Sequence, residues 1–548
     1  MAIEKKIIVI LALIYLITGI SGIKWGLPSS YLNKIYFYQS SSLEQNLNDI
    51  EFSHGKLPRY TYNPIRSYHP DEYFIIKTLQ SINLPSLKFS IGQFSIGGVY
   101  LYMYGFLLFI LSFTGLVHLN KDITYYFLHP EEIAKFYLTG RIICLIYGLG
   151  IVLLTYIITR KISKNRTAPF IASIILIFSP LFLLNSHYMY VDIPGTFWIM
   201  LSLYLSIRYC QDKWKSGPLI IGLFTGLAAG TKITFILSFF ISILAILLTE
   251  KKIQDLFKQF TLTFCGFLFS FVLFNPFCFF ALKELFFGTG QGSVAFSFTP
   301  LFYILSLKYG LGLLLFVFLF IGIIFSGQKI FERERILILL WGLFFFFVLS
   351  SCSGKFARYI LPIVPLFIIL GIDFWFSYSK INLVKFLKKG ILSLVLISTF
   401  IYGMAFEMLF IKENIRTEAG VWIKENIPAG SSIGVTEVPW QFQMPPFDYY
   451  VYKVEVTGYD IESLKETQPD YFILSSFQAP IPPYPLKLQK ERINFYKEFI
   501  ATGMYTEEMR FEKYPSLGFI SFRFKTLPED LIYLNPSIVI YRKVIYNN

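Results

Sequence analysis

A chain of 548 residues that is 55% hydrophobic and only 15% charged, with mean hydropathy +0.56, lies outside the composition of soluble domains, in which about 25% of residues are charged. It reads as a polytopic membrane protein. Its net charge of +14 does not point to nucleic acid, because Lys and Arg recur in short loops between apolar runs and do not form one stripe. Cys144, Cys210, Cys265, Cys278 and Cys352 mostly fall within or at the edges of apolar segments without a CxxC, which argues against a disulfide or zinc framework.

The chain opens with Lys5-Lys6 and an apolar run to about Ile23, with no small-x-small site before Lys24, so an uncleaved anchor is expected. A first outer loop from Lys24 to Lys135 follows and carries His69-Pro70-Asp71-Glu72. Within it, residues 99–117 are apolar enough to span. Counting them as a crossing inverts every later loop, so they read as embedded at the outer surface or re-entrant, with a full span left open. Further spans are expected at about 136–159, 168–187, 192–208, 218–231, 233–249, 260–281, 301–325, 336–352, 358–378 and 390–411. With Lys5-Lys6 inside and eleven crossings, the basic loops at Arg160–Arg166, Arg208–Lys215, Lys251–Lys258, Lys329–Arg335 and Lys380–Lys389 all fall in the cytoplasm. The loops near Tyr188, Lys283–Pro300 and Ser353–Ala357 then fall outside.

Beyond Lys412 the long apolar runs stop and turn signals appear, at Pro428-Ala-Gly430, Pro445-Pro446 and Pro480-Ile-Pro482-Pro483. This region reads as a small extracytoplasmic α/β domain. Its first helix is expected over Glu418–Asn426, and its strands over Ser432–Val435, Tyr471–Leu474 and Ile538–Tyr541. The expected division is an all-α membrane bundle over 1–411, including loop 24–135, and a soluble domain over 412–548.

Ionisable groups held near a bilayer are costly and are functional candidates by default. Asp71 and Glu72 suit a general base or a metal-binding carboxylate; the plainer role for Asp71 is to cap a helix beginning at Glu72. Asp192, in Ser186-His187-Tyr188-Met189-Tyr190-Val191-Asp192-Ile193-Pro194, can also cap the helix after it, and His187 suits an interface histidine equally well. Lys232, in Gly230-Thr231-Lys232, either snorkels or faces the bundle interior, where it would meet an anion. Arg358 opens a span on the same expected face. Two acids and two or three bases from four segments thus gather at one leaflet, the combination that a phosphate-bearing lipid and a hydroxyl acceptor require.

Taken together, HPDE at 69–72, Trp25-Gly-Leu-Pro28, SPLF…SHYMYVDIPGTFW at Ser179–Trp198, GLAAGTK at Gly226–Lys232, RYILPIVP at Arg358–Pro365 and the segment Trp422–Gly430 resemble the GT-C glycosyltransferases. The chain is most similar to the relatives of the protein O-mannosyltransferases and lipid A aminoarabinose transferases, over about 30–430. It departs from them in a roughly 40-residue insertion between Pro28 and His69. The resemblance implies transfer of a sugar from a polyprenyl-phosphate carrier to a protein, lipid or glycan hydroxyl on the outer side of the cytoplasmic membrane, with inversion. It implies Asp71 as the base with Glu72 beside it, and Asp192 as the second catalytic acid; Arg358, and less strongly Lys232, are the candidates for the donor phosphate because a guanidinium can grip it bidentately. His69, His187 and Tyr359 are accessory. No cofactor is required; some relatives hold a divalent metal on these acids, here Asp71 and Asp192, and no zinc is assigned to the histidines. The rival readings are a transporter or flippase of a lipid-linked saccharide, disfavoured by the absence of inverted repeats, and a membrane anchor for the C-terminal domain.

Overall fold

The computed structural model describes residues 2–38, 64–80, 82, 96–276, 297–377 and 380–544. Most of the insertion between Pro28 and His69 and most of the expected outer loop Lys283–Pro300 lie outside the described residues. The chain packs as two units: residues 1–21, 74–109 and 139–404 form one, and residues 22–73, 110–138 and 405–548 the other.

The first unit is helical. Among the described residues, four helical stretches are long and apolar enough to cross a membrane: Pro130–Ile162, Ile253–Phe274, Arg333–Ser351, and a window within residues 382–426. The expected spans 168–187 and 301–325 are each broken. Helices Ala168–Ile177 and Pro180–His187 meet at 59°, because Pro180 has no N–H to continue the ladder. Helices Pro300–Leu311 and Leu313–Ile324 meet at 114° about Gly312, whose φ of +83° only glycine adopts without strain. The expected spans 218–231 and 233–249 are short helices, Gly217–Thr231 and Ile233–Thr249. Of residues 99–117, only those up to Phe113 are helical, in helix Gly98–Phe113.

Helix Gly217–Thr231 lies very close to Ile253–Phe274. A Cβ at Gly222 would stand 2.0 Å from the Thr263 carbonyl oxygen, and one at Gly266 would stand 2.3 Å from that of Leu219. Small residues permit this approach where lipid supplies no hydrophobic drive, and the Ser270 hydroxyl donates across the seam to the Leu223 carbonyl at 2.7 Å. The contact fixes the helix whose end carries Lys232. At another set of helix ends, buried Arg335 donates to Asp373 Oδ2 at 2.9 Å and to the Ile162 carbonyl at 3.0 Å, and the Ser163 hydroxyl donates to Asp373 Oδ1 at 2.5 Å. That network ties three helix termini together.

The second unit contains the α/β fold. Its strands are β1 (Ser432–Val435), β2 (Lys453–Val456), β3 (Tyr471–Ser475), β4 (Tyr484–Pro485), β5 (Tyr505–Phe511), β6 (Ser516–Leu517), β7 (Ile520–Ser521), β8 (Thr526–Leu527) and β9 (Ile538–Lys543). Five form one sheet in the order β2-β1-β3-β9-β5, with β1 parallel to β2 and β3, and β9 antiparallel to β3 and β5. The central strands are apolar on both faces, as strands covered on both sides must be. Tyr471, Ile473, Ile538 and Ile540 join the core under helix Ile415–Asn426. Phe472, Leu474, Val539 and Tyr541 join the core under helix Lys490–Ala501. That first helix starts at Ile415, three residues before the expected Glu418, because the Asn414 side chain accepts from the Arg416 N–H and caps it.

The observed grouping differs from a division at 411/412 with loop 24–135 assigned to the bundle. Loop residues pack on the C-terminal part: the Tyr68 hydroxyl lies 2.9 Å from that of Thr417, the Tyr38 N–H donates to Asp448 Oδ2 at 2.8 Å, and Arg66 stacks over Trp440.

Candidate functional site

In the helical unit, Asp192, Lys232, Arg358 and Tyr359 come together from three separate segments. Asp192 is the first residue of helix Asp192–Asp212; Val191 stands at the cap position, and no side chain caps the helix. Asp192 therefore does not cap it. Its carboxylate sits in the first turn, where the helix dipole favours negative charge. Oδ1 accepts from the Lys232 ammonium at 2.7 Å, and Oδ2 lies 3.6 Å from Arg358 Nε. Lys232 ends helix Gly217–Thr231 in an extended conformation (φ −152°, ψ 126°), where the dipole favours a cation. It does not snorkel: it is 7% exposed, against 2% for Asp192 and 4% for Arg358. Arg358 is placed by a 3₁₀ turn, Ala357–Ile360, ahead of helix Ile363–Ile372.

Aromatic rings wall this cluster. The Lys232 ammonium is 4.1 Å from the Tyr359 ring centre and 5.8 Å from that of Tyr190; the Arg358 guanidinium is 4.2 Å from Phe356 and 5.2 Å from Tyr190. Rings offer a cation an attractive face without neutralising it, so the cluster can still bind an anion. Asp192 thus holds Lys232 at hydrogen-bond distance and stands farther from Arg358. Asp192→Ala takes the counter-charge from two buried cations. It is expected to destabilise the protein by about 3–5 kcal/mol, measured as a lower thermal transition in detergent, while Asp192→Asn loses less.

His187, in the same unit, is buried at a helix junction. Its ring nitrogens lie 2.9 Å from the Leu183 carbonyl and 2.9 Å from the Ser21 carbonyl, the bonds of an interface histidine.

In the second unit, His69-Pro70-Asp71-Glu72 leads into helix Glu72–Gln80. The two acids differ. Glu72 is fully buried and accepts from the Ser67 hydroxyl at 2.6 Å, whereas Asp71 is half-buried. The Asp71 N–H donates to His69 Nδ1 at 3.3 Å, and the His69 ring meets Tyr533 edge-on at 5.6 Å.

Divalent-metal ligation does not fit Asp192, because both of its oxygens face cations. Among the described residues, no three His, Cys, Asp or Glu side chains gather as a metal site. Sequence reasoning did not single out Tyr190 and Phe356 as cluster walls, nor Arg141 and Glu407, which are fully buried within long apolar helices. A lone charge inside an expected span was the available signal for the last two.

The helical unit therefore buries two cations and one acid where helix ends meet. Residues 105–286, about a third of the chain, match the dolichyl-phosphate-mannose-protein mannosyltransferase family, in line with the resemblance to the protein O-mannosyltransferases. The match includes His187, Asp192 and Lys232 and leaves His69–Glu72, Arg358 and Tyr359 outside it. An uncharacterized protein of Aquifex aeolicus is 28% identical over 235 residues, which are 41% of this chain; the chain spans about half the length of that relative (46%). Among solved structures, ArnT from Cupriavidus metallidurans bound to undecaprenyl phosphate is similar with a TM-score of 0.45 at 13% identity, over 97% of each chain. The archaeal oligosaccharyltransferase AglB from Archaeoglobus fulgidus, in complex with an inhibitory peptide and a dolichol-phosphate, is similar with a TM-score of 0.43 at 13% identity, over 86% of this chain and 69% of that one.

Proposed function

We propose that the protein is an integral membrane glycosyltransferase that moves a sugar from a polyprenyl-phosphate carrier to a hydroxyl acceptor on the outer side of the membrane. The observation that carries this reading is the buried Asp192–Lys232–Arg358 cluster, a grip for a phosphate in a matched family whose name specifies a lipid-phosphate sugar donor.

In the proposed reaction the acceptor oxygen attacks the anomeric carbon from the face opposite the phosphate. The bond between that carbon and the phosphate oxygen breaks, and its electron pair leaves with the carrier phosphate. The sugar is inverted, and the acceptor proton passes to a carboxylate. Asp71 is the proposed base, because it is the less buried of the two acids in the motif. Lys232 and Arg358 meet the charge that grows on the phosphate, and Asp192 is the positioning residue that holds both cations. Tyr359 and Tyr190 wall the grip.

Purified protein supplied with labelled polyprenyl-phosphate hexoses and envelope extract should release polyprenyl phosphate and label an acceptor. Movement of the intact lipid across proteoliposomes without cleavage would instead support the transport reading.

The proposed sidedness has its own test. A reporter fused after Asn548 should be active only outside the cytoplasm, and one inserted near Lys164 only inside. A cytoplasmic C-terminus would overturn the expected topology.

A further inference from the structure

Strands β6 and β7 form a two-stranded hairpin with Ser516 opposite Ser521 and Leu517 opposite Ile520. Gly518, at φ +59°, makes the turn, and Phe519 at its tip is 97% exposed. Among the described residues of 412–548, the next most exposed large apolar side chain is Ile500, at 49%. A scattered half-exposed leucine or isoleucine is ordinary on any domain surface, but a phenylalanine held wholly in solvent on a two-residue turn is not. Its neighbours in sequence are Tyr514, Phe522 and Phe524, with Arg523 and Lys525 between and beside them.

Three residues beyond β7, Phe524 packs near the end of a long apolar helix. The Phe524 ring lies 6.2 Å from that of Phe406, in the long apolar helix Asn382–Ile411. Phe406 precedes the helix end by five residues, about 7 Å along the axis. Exposed Lys412 and Glu413 follow and mark the polar edge of the span. Phe519 lies five residues before Phe524, about 16 Å of extended chain. Arg523 stacks over Tyr514 at 5.1 Å, a cation and a ring of the kinds that gather at lipid headgroups.

We propose that the β6–β7 hairpin is a membrane-inserted finger, with Phe519 in the acyl–headgroup boundary of the outer leaflet and Arg523 and Lys525 at lipid phosphates. The partner is a lipid surface.

The test uses the full chain in nanodiscs of phosphatidylcholine and phosphatidylglycerol. A spin label is attached through Phe519→Cys in a background of Cys265→Ser, Cys278→Ser and Cys352→Ser. The control is Lys465→Cys, on helix Ile461–Thr467. Relaxation by oxygen, which concentrates in lipid, is compared with relaxation by a water-soluble nickel chelate. A ratio several-fold higher at position 519 than at 465 is expected. Equal ratios would place the tip in water and overturn the proposal. A label shielded from both reagents would place the tip against protein and overturn it as well.

Discussion

Arg358→Ala is expected to abolish nearly all sugar transfer while the protein stays folded in the membrane. The two effects separate because Asp192 keeps Lys232 at 2.7 Å, so removing Arg358 leaves no buried carboxylate unpaired. Losing one donor aimed at developing charge lowers turnover by about 10²–10³-fold. Arg358→Lys keeps the charge but loses the planar fork that can grip a phosphate through two parallel bonds. It should raise KM for the lipid donor, lower kcat, or both. Donor titration with purified variants measures this. Wild-type kinetics for Arg358→Ala would reduce the arginine to a helix-end anchor.

Asp71→Asn should abolish transfer with little loss of folded protein. The amide nearly matches the carboxylate in shape and can still accept a helix-capping bond, so a capping role alone predicts mild effects. A general base contributes about 10²–10⁴-fold, a loss that any turnover assay resolves. Glu72→Gln differs in kind. Glu72 is fully buried and bonded to Ser67, so its replacement should lower thermal stability as well as activity. Near-normal turnover in Asp71→Asn would return that residue to capping and leave the base unassigned.

Much of the fold was legible because membrane helices and buried strands carry strong local signals. Strand β1 falls at Ser432–Val435 as expected, and β3 and β9 begin at the expected Tyr471 and Ile538. The phosphate-holding candidates were legible in part, since Asp192, Lys232, Arg358 and Tyr359 each lie at the edge of an apolar run. Whether Lys232 snorkels or turns inward was not. Both orientations satisfy the same hydropathy pattern, and only the position of Asp192, 40 residues earlier in the chain, selects one. Asp192 itself looked like a helix cap because the residues before a helix and those in its first turn favour the same side-chain types.

Composition and the placement of basic loops determined by themselves that this chain is a helical membrane protein with an α/β region beyond residue 412. Apolar length and loop charge are properties of short segments, and such segments need no partners to be read. The tertiary structure alone decided the breaks at Pro180 and Gly312, the packing of the early loop against the C-terminal part, and the meeting of one carboxylate with two cations and three rings. Ion pairs and ring contacts join residues far apart in the chain, and their geometry is set by how helices with small residues approach one another.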